Sequence, residues 1–105
     1  MKISMILHKL YNLLKKGFCQ KTYARTKNGK SCEIYDKKAV NFCIIGGWKK
    51  LGFAHGYLLP NVLLNLMVNT DIAKFNDTHT KSTVLKTIQK AKNLAIQNER
   101  KNIHA

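Results

Sequence analysis

Acidic residues are scarce in this chain. Five Asp and Glu oppose nineteen Lys and Arg, seventeen of them Lys, which gives a formal net charge of +14 over 105 residues. The five carboxylates are scattered along the sequence, which disfavours the paired carboxylates of glycosidase-type acid/base chemistry. The positive charge predicts contact with an anionic partner or, as the competing interpretation, only a solvated lysine surface.

Long apolar runs are also missing. The longest apolar-rich stretch, GYLLPNVLLNLMV, is short and is broken by Pro60, Asn61 and Asn65, so no segment is expected to span a membrane. The N-terminal MKISMILHKLYNLLKK has His8 and Lys9 within its apolar run and no small-residue cleavage site after it. We therefore interpret it as a retained helix rather than a secretion signal, and expect a protein of the bacterial host's cytoplasm.

Cysteine and histidine lack the spacing of a disulfide framework or a metal site. Cys19, Cys32 and Cys43 are odd in number and form no C-x-x-C pair, and the four histidines show no i, i+4 pairing. No metal or other cofactor is expected. Cys43, His79 and Asp77 can be combined into a hypothetical catalytic set, but a cysteine within an apolar helix resists ionisation. We therefore expect a protein that is not an enzyme.

Hydrophobic spacing predicts a helix at the N-terminus, followed by a small hairpin. Apolar residues recur at helical intervals over residues 3–16, and Gly17 is expected to end this amphipathic helix. The dipeptide Asn28-Gly29 tolerates positive φ at both central turn positions, which predicts a β-hairpin within residues 22–35.

A buried central helix is predicted next. Asp36 is expected to cap a helix over residues 37–51, whose middle is apolar nearly all round. Gly46 and Gly47 lower helix propensity, so their presence indicates a close helix crossing or an early helix end.

Two more helices and a short turn complete the predicted fold. Pro60 suits the first turn of a helix over residues 60–69, and Asp71 starts a short turn that carries Ile72 and Phe75. The last helix has Val84, Leu85, Ile88, Ala91 and Ala95 on one side, and its candidate caps are Asn76, Asp77, Thr78 and Thr80. The predicted fold is mainly α (small α+β): a compact bundle of about four helices with one short β-hairpin. It forms a single domain, residues 1–105, with an ordered core to about residue 98 and a frayed tail over 99–105.

The aspartates share one position in this prediction. Asp36, Asp71 and Asp77 each stand just before a predicted helix, where a carboxylate satisfies free N–H groups and complements the helix dipole. The few acids are therefore expected to be largely committed to local structure, which leaves only Glu33 and Glu99 to neutralise nineteen cations.

Four segments occur in an order that resembles a known family. They are GFCQKTYARTKNGK (17–30), AVNFCIIGG (39–47), FND (75–77) and VLKTIQKA (84–91). Together they resemble a small uncharacterised family of bacterial and phage proteins, domain of unknown function 6197, over about residues 6–95. The matching positions are Gly17, Ala24, Arg25, Gly29, Ala39, Cys43, Gly46, Asn76, Asp77, Val84, Ile88 and Ala91. Phe18 and Phe75 stand where tryptophan is usual, Thr22 where glycine is usual and Gly47 where alanine is usual. The resemblance implies a mostly helical single domain of phage or mobile-element origin, and it implies no activity.

A polar pocket is one candidate site. A buried Arg25 would need a carboxylate partner, and Asp77 with its neighbour Asn76 is a plausible one. The competing interpretation gives Asn76 and Asp77 to a helix cap and an Asx-turn.

The lysines carry the strongest functional signal. Candidate anion-binding residues are Lys21, Arg25, Lys27 and Lys30 on the hairpin, Lys49 and Lys50 at the end of the central helix, and Lys86, Lys90 and Lys92 on the last helix. Contacts of such side chains with phosphates give salt-dependent affinity that is mainly independent of sequence, and Tyr23 or Tyr35 could add base stacking. We therefore predict a binding protein for nucleic acid or a nucleoprotein.

Two alternatives stay open. The protein could be an accessory inhibitor of a host defence or regulatory protein, anti-defence or anti-CRISPR-like, that acts through an exposed apolar patch around Trp48, Phe53 and Tyr57. It could also hold a small phosphate-bearing ligand with Arg25 and nearby lysines. The sequence does not indicate the oligomeric state.

Overall fold

The computed structural model describes residues 2–53, 56–67 and 71–104, with side chains described as far as Lys101. The elements in this part of the chain are α1 (Ile3–Lys16), β1 (Ala24–Thr26), β2 (Ala39–Phe42), α2 (Ile44–Leu51), α3 (Asn61–Leu66), α4 (Ile72–Thr78) and α5 (Lys81–His104). Five helices with one two-stranded antiparallel sheet confirm the predicted mainly α fold with a small β component. None of the helices in the described ranges has both the length and the apolar character that a bilayer crossing requires.

α1 is the central element of the packing. It lies against α5 on one side and against α2 and β2 on the other, while α3 packs on α5 and α4 packs on α2. The core consists of residues from all five helices and both strands, with Ile6, Leu7, Leu10, Leu14, Phe42, Ile44, Trp48, Leu63, Val84 and Ile88 among its fully or almost fully buried members. Their burial supplies the main driving force for the fold, about 1.5–3 kcal/mol for each large apolar side chain.

The structure confirms the predicted start and end of the first helix. Its apolar stripe faces the core, and the N–H of Gly17 donates to the carbonyl of Leu13 as the helix ends. Gly17 also lies close to β2, because a Cβ built at this position would overlap the carbonyl of Val40.

The predicted turn exists, and the predicted strand pairing across it forms only in part. Gly29 has a φ of +88°, and the N–H of Thr26 donates to the carbonyl of Lys30 over 2.8 Å. β1 nevertheless pairs along its length with β2, in the register Ala24↔Phe42, rather than with residues 31–35. The predicted local pairing is confirmed at one antiparallel bridge, from Arg25 to Ser31, where the N–H of Cys32 donates to the carbonyl of Ala24 over 3.0 Å.

The predicted helix over residues 37–51 begins too early. Residues 39–42 are a strand, and α2 starts only at Ile44. The strand is stabilised on both edges, since β1 pairs with one side and the segment after α1 pairs with the other. The N–H of Phe42 donates to Gly17 O over 3.0 Å, and the N–H of Cys19 donates to Phe42 O over 3.1 Å. These partners lie far away in sequence, and together they outweigh the helical pattern of the segment.

The Asp predictions are confirmed at one position only. Asp71 caps α4, because its carboxylate accepts from the N–H of Lys74 over 2.7 Å. Asp36 instead accepts from the N–H of Lys38 in the turn before β2, and Asp77 lies inside α4. Among the candidate caps of α5, it is Thr80 whose hydroxyl accepts from the N–H of Thr83.

The third helix is shorter than predicted in its described part. Pro60 precedes it as the N-cap, and the helix runs over Asn61–Leu66 with Leu63 buried. Residues 68 and 69 of the predicted helix lie outside the described residues.

α5 continues through the segment predicted to fray. The helix runs to His104, and Glu99 is held against the start of α1. Its carboxylate accepts from the N–H of Ser4 over 3.1 Å and from the Ser4 hydroxyl over 2.7 Å. Because the N-cap residue of α1, Lys2, makes no side-chain cap, Glu99 caps α1 from another helix and places a negative charge at the positive end of its dipole.

Replacing Glu99 with alanine is therefore expected to lower the free energy of unfolding by about 1–2 kcal/mol, the usual cost of losing a helix cap. Urea denaturation followed by circular dichroism measures this change. Glu33→Ala, at an exposed carboxylate, is the control and should change stability by less than about 0.5 kcal/mol. Equal stability of the two variants would contradict the assignment of Glu99 as the cap of α1.

Candidate nucleic-acid interface

The candidate anion-binding residues fall into two groups. The hairpin cations are Lys21, Arg25, Lys27, Lys30, Lys49 and Lys50, and the α5 cations are Lys86, Lys90 and Lys92. α1 separates the two groups, because it packs between α5 on one side and the sheet and α2 on the other. The structure therefore brings the hairpin and α2 residues together but does not bring them to the lysines of α5.

Several hairpin cations are engaged within the protein. The guanidinium of Arg25 donates to Gly29 O over 2.8 Å and to Gln20 O over 3.0 Å, so it stabilises the turn that follows β1. The ammonium of Lys49 lies 4.3 Å from the centre of the Tyr23 ring, and that of Lys50 lies 4.8 Å from the centre of the Phe42 ring. These cation–π contacts stabilise the end of α2 against the sheet.

Carboxylates also lie beside the hairpin cations. A cleft of about 620 Å³ is lined by Tyr23, Lys49, Glu33 and Asp36, together with Thr22, Ser31, Cys32 and Ile34. The two carboxylates reduce the positive potential there, because Lys49 is the one cation that lines the cleft with them. The hairpin side is thus a mixed surface rather than a uniformly basic one.

The solvent face of α5 has a different composition. Its exposed residues at helical spacing are Ser82, Thr83, Lys86, Lys90, Asn93, Gln97, Arg100 and Lys101. We call this set the α5 outer face. It holds four cations and no carboxylate, and the one acid of the helix, Glu99, is bonded to Ser4. Lys92 is half-buried and lies to the side of this face, near α1.

Most of the few acids are bound by main-chain groups. Asp36, Asp71, Asp77 and Glu99 each accept a hydrogen bond from a backbone N–H, at 2.8, 2.7, 2.8 and 3.1 Å. These contacts fix the carboxylates at turns and helix ends. The prediction that the aspartates serve local structure is confirmed for Asp36 and Asp71 only, because Asp77 and Glu99 bond to Lys21 and Ser4, which are distant in sequence.

The polar pocket predicted around Arg25, Asn76 and Asp77 forms only in part. The amide of Asn76 donates to Asp77 Oδ1 over 3.1 Å, and Asp77 Oδ1 also accepts from the N–H of Lys21. Arg25 donates to carbonyls instead, and its link to this cluster runs through Gln20, whose amide donates to Asn76 O over 3.1 Å. Sequence reasoning missed Gln20, because a single glutamine in a turn carries no pattern.

Asn76 is a structural junction. Its side chain is 1% exposed, accepts from the N–H of Ile44 over 2.9 Å and donates to Cys19 O over 3.0 Å. It thereby joins α4 to the start of α2 and to the segment that follows α1. The interpretation of Asn76 as a helix cap is wrong, because its amide bonds to groups distant in sequence.

The thiols are poorly suited to nucleophilic chemistry. Cys43 is the N-cap of α2, where its Sγ accepts from the N–H of Gly46 over 3.2 Å, so its predicted place within a helix is wrong. Burial nevertheless raises the pKa of the Cys43 thiol, against the lowering effect of the main-chain N–H groups. Burial, with the nearby Cys43 as the next cause, raises the pKa of Cys19 to about 11.

His79 does not activate Cys43. The Nδ1 of His79 lies 2.8 Å from Phe75 O, and its ring stacks on Phe75 at 3.9 Å. These contacts hold His79 at the C-terminal end of α4, where it is the C-cap residue. Within the described residues, no group of three or more His, Cys, Asp and Glu side chains is arranged to hold a metal ion.

The exposed apolar patch predicted around Trp48, Phe53 and Tyr57 does not form at its centre, because Trp48 is not at the surface. Trp48 is fully buried, and its indole N–H donates to Tyr57 O over 3.3 Å. Phe53 is 45% exposed and Tyr57 is half-buried. The tryptophan belongs to the core because α2 has α1 on one side and α4 on another.

No protein-family model matches the chain, and neither the search of curated proteins nor the search of solved structures found a match.

Proposed function

We propose that this protein binds nucleic acid through the α5 outer face. The observation that carries the proposal is the composition of that face, which holds Lys86, Lys90, Arg100 and Lys101 among polar side chains and no carboxylate. A surface of this kind attracts a phosphate backbone, because it offers several unneutralised cations in a row.

The geometry of α5 suits a duplex backbone. The helix has 24 residues, so it is about 36 Å long at 1.5 Å per residue. One side of the helix packs on α1 and α3, and the opposite side is exposed as far as Lys101. The side chains of the outer face can then contact successive phosphates without reading base identity.

The hairpin cations are a weaker candidate for the same function. Glu33 and Asp36 line a cleft together with Lys49, and Arg25 and Lys49 make contacts within the protein. Their contribution is a long-range attraction that steers the ligand, which fits the overall charge of +14. An origin in a phage or mobile element, which the family resemblance implies, stays a prediction.

The proposal predicts a specific salt dependence for duplex binding. Affinity for a labelled 20-base-pair duplex, measured by fluorescence anisotropy from about 25 to 200 mM salt, should fall linearly in a log–log plot. Each phosphate contact contributes about 0.9 to the slope, so Lys86→Gln/Lys90→Gln should lower its magnitude by about 2.

A matched control separates the two basic surfaces. Lys27→Gln/Lys30→Gln removes the same charge from the exposed turn of the hairpin, and should weaken binding with a much smaller change of slope. Equal slopes for the two double variants would overturn the assignment to α5. Absence of binding at 25 mM salt would overturn the proposed function itself.

The alternative function, inhibition of a host defence or regulatory protein, needs a surface that binds protein. The burial of Trp48 removes the centre of the surface predicted for it. A nuclease-treated pull-down from host lysate tests this alternative, because a partner that survives digestion is not held through nucleic acid.

A further inference from the structure

A groove runs beside α1 and α5, on the flank of α5 that adjoins the α5 outer face, and Ser82 and Lys86 belong to both. It has two depressions, of about 610 Å³ and about 250 Å³. Leu85 and Tyr11 contribute apolar surface to the first, and Met5 and Ile96 contribute it to the second. Met5 is 51% exposed, so its side chain adds accessible apolar surface to the second depression.

The two depressions follow each other along one ridge of α5. The residues of α5 in this ridge are Lys81, Leu85, Gln89, Lys92 and Ile96, which are spaced by four, four, three and four residues. Residues at this spacing share one face of a helix. The ridge covers 15 residue steps, so the groove is about 22 Å long.

The charged side chains that line the groove are all basic, and the acid that adjoins it is Glu99, whose carboxylate bonds to Ser4 of the second depression. Lys81 and Lys86 border the first depression, and Lys9 and Lys92 border the second. Among the described residues, no Asp or Glu lines either depression. The groove therefore combines an apolar floor with a basic rim.

This combination selects among possible occupants. A nucleic-acid backbone matches the rim but leaves the apolar floor in contact with nothing complementary. A second copy of this chain would offer helices rich in lysine, and like charges would repel. An amphipathic helix with an apolar face and acidic flanks matches both features, and about 15 residues of it would fill the length.

We propose that the groove between α1 and α5 binds an acidic amphipathic helix of a partner protein. The apolar face of that helix contacts Met5, Leu85 and Ile96, and its carboxylates pair with Lys81 and Lys92. This interaction is separate from the proposed nucleic-acid binding, because its apolar contacts lie on the flank of α5 and not on the α5 outer face.

The test uses two synthetic peptides of one composition. The first is a 15-residue helix of Glu, Leu and Ala with Leu at positions i, i+3, i+4 and i+7, and the second has the same residues in scrambled order. Fluorescence anisotropy at 150 mM salt should give at least tenfold tighter binding of the amphipathic peptide, because charge alone cannot distinguish the two.

Variants of the protein locate the binding site. Met5→Gln/Ile96→Gln should lose most of the tenfold preference, and Leu58→Gln, at a position 79% exposed outside the groove, should keep it. Met5→Gln alone serves if the double variant does not fold, and it should lose part of the preference. Neither Met5→Gln/Ile96→Gln nor Met5→Gln alone should alter the affinity for the duplex.

Three outcomes would overturn the proposal. The first is equal binding of the two peptides, and the second is an unchanged preference in the groove variants. The third is loss of duplex binding in Met5→Gln/Ile96→Gln without peptide discrimination, which would make the groove part of the nucleic-acid interface. Failure of duplex binding with the wild type would affect the proposed function alone.

Discussion

Gly46→Ala should destabilise the protein by about 3 kcal/mol or more, although alanine is the better helix former. A Cβ built on Gly46 would overlap the main-chain carbonyl of Tyr23, and the Cα of Tyr23 lies 3.0 Å from it. Main chain cannot rotate away as the end of a side chain can, so the loop before β1 or the start of α2 must move. Helix propensity alone would instead predict a gain of about 1 kcal/mol.

Gly47→Ala is the matched control for this prediction. A Cβ at Gly47 would meet the Cδ1 of Leu10 at 2.7 Å, which is the flexible end of a side chain. We expect a loss below about 2 kcal/mol, since Leu10 can shift and the gain in helix propensity offsets part of the cost. Urea denaturation of both variants measures the difference. A Gly46→Ala protein as stable as Gly47→Ala would show that α2 does not lie as close to Tyr23 as described.

Asn76→Ala should also cost a large part of the stability. The substitution leaves the N–H of Ile44 and the carbonyl of Cys19 without the partners that they now have at 2.9 and 3.0 Å. An unsatisfied buried polar group costs about 1–3 kcal/mol, so the two together cost about 2–6 kcal/mol. Small domains are stable by about 5–15 kcal/mol in total, and the variant should therefore unfold at a much lower urea concentration.

The controls for Asn76 separate its amide from its size. Asn93→Ala, on the exposed side of α5, should change stability by less than about 0.5 kcal/mol. Asn76→Asp keeps an oxygen for the N–H of Ile44 but directs another oxygen at the carbonyl of Cys19 and at Asp77. It should therefore also be strongly destabilised. If Asn76→Ala unfolds at the same urea concentration as Asn93→Ala, the junction is not a source of stability.

The local features of this fold were accessible from the sequence. The stripe of α1, its end at Gly17, the turn at Gly29 and the cap at Asp71 each depend on residues within about one helical turn. The pattern of buried residues in α5 belongs to the same class, because helical spacing alone places Val84 and Ile88 on one side.

The errors occurred where distant residues decide local structure. The sequence predicts a helix over residues 39–42 because their own composition permits it. Their main-chain groups instead pair with β1 and with Gly17 and Cys19. Asn76 is predicted to be a helix cap because it precedes a helical pattern, but its amide bonds to Ile44 and Cys19. No local signal in the sequence marks such pairings.

The candidate site shows the same division. The sequence identified the cations and the scarcity of acids, and it predicted that carboxylates would be committed to local structure. It did not show that α1 separates the hairpin cations from those of α5, or that Glu99 caps α1 and leaves the α5 outer face without a carboxylate.

By itself, the sequence determined the net charge, the amphipathic helices and the residues that end them, because these depend on composition and on neighbours within a few positions. Only the tertiary structure decided the strand pairing, the junction at Asn76 and which cations share a surface. Each of these depends on contacts between segments that lie tens of residues apart, and main-chain hydrogen bonding and packing select them regardless of local preference.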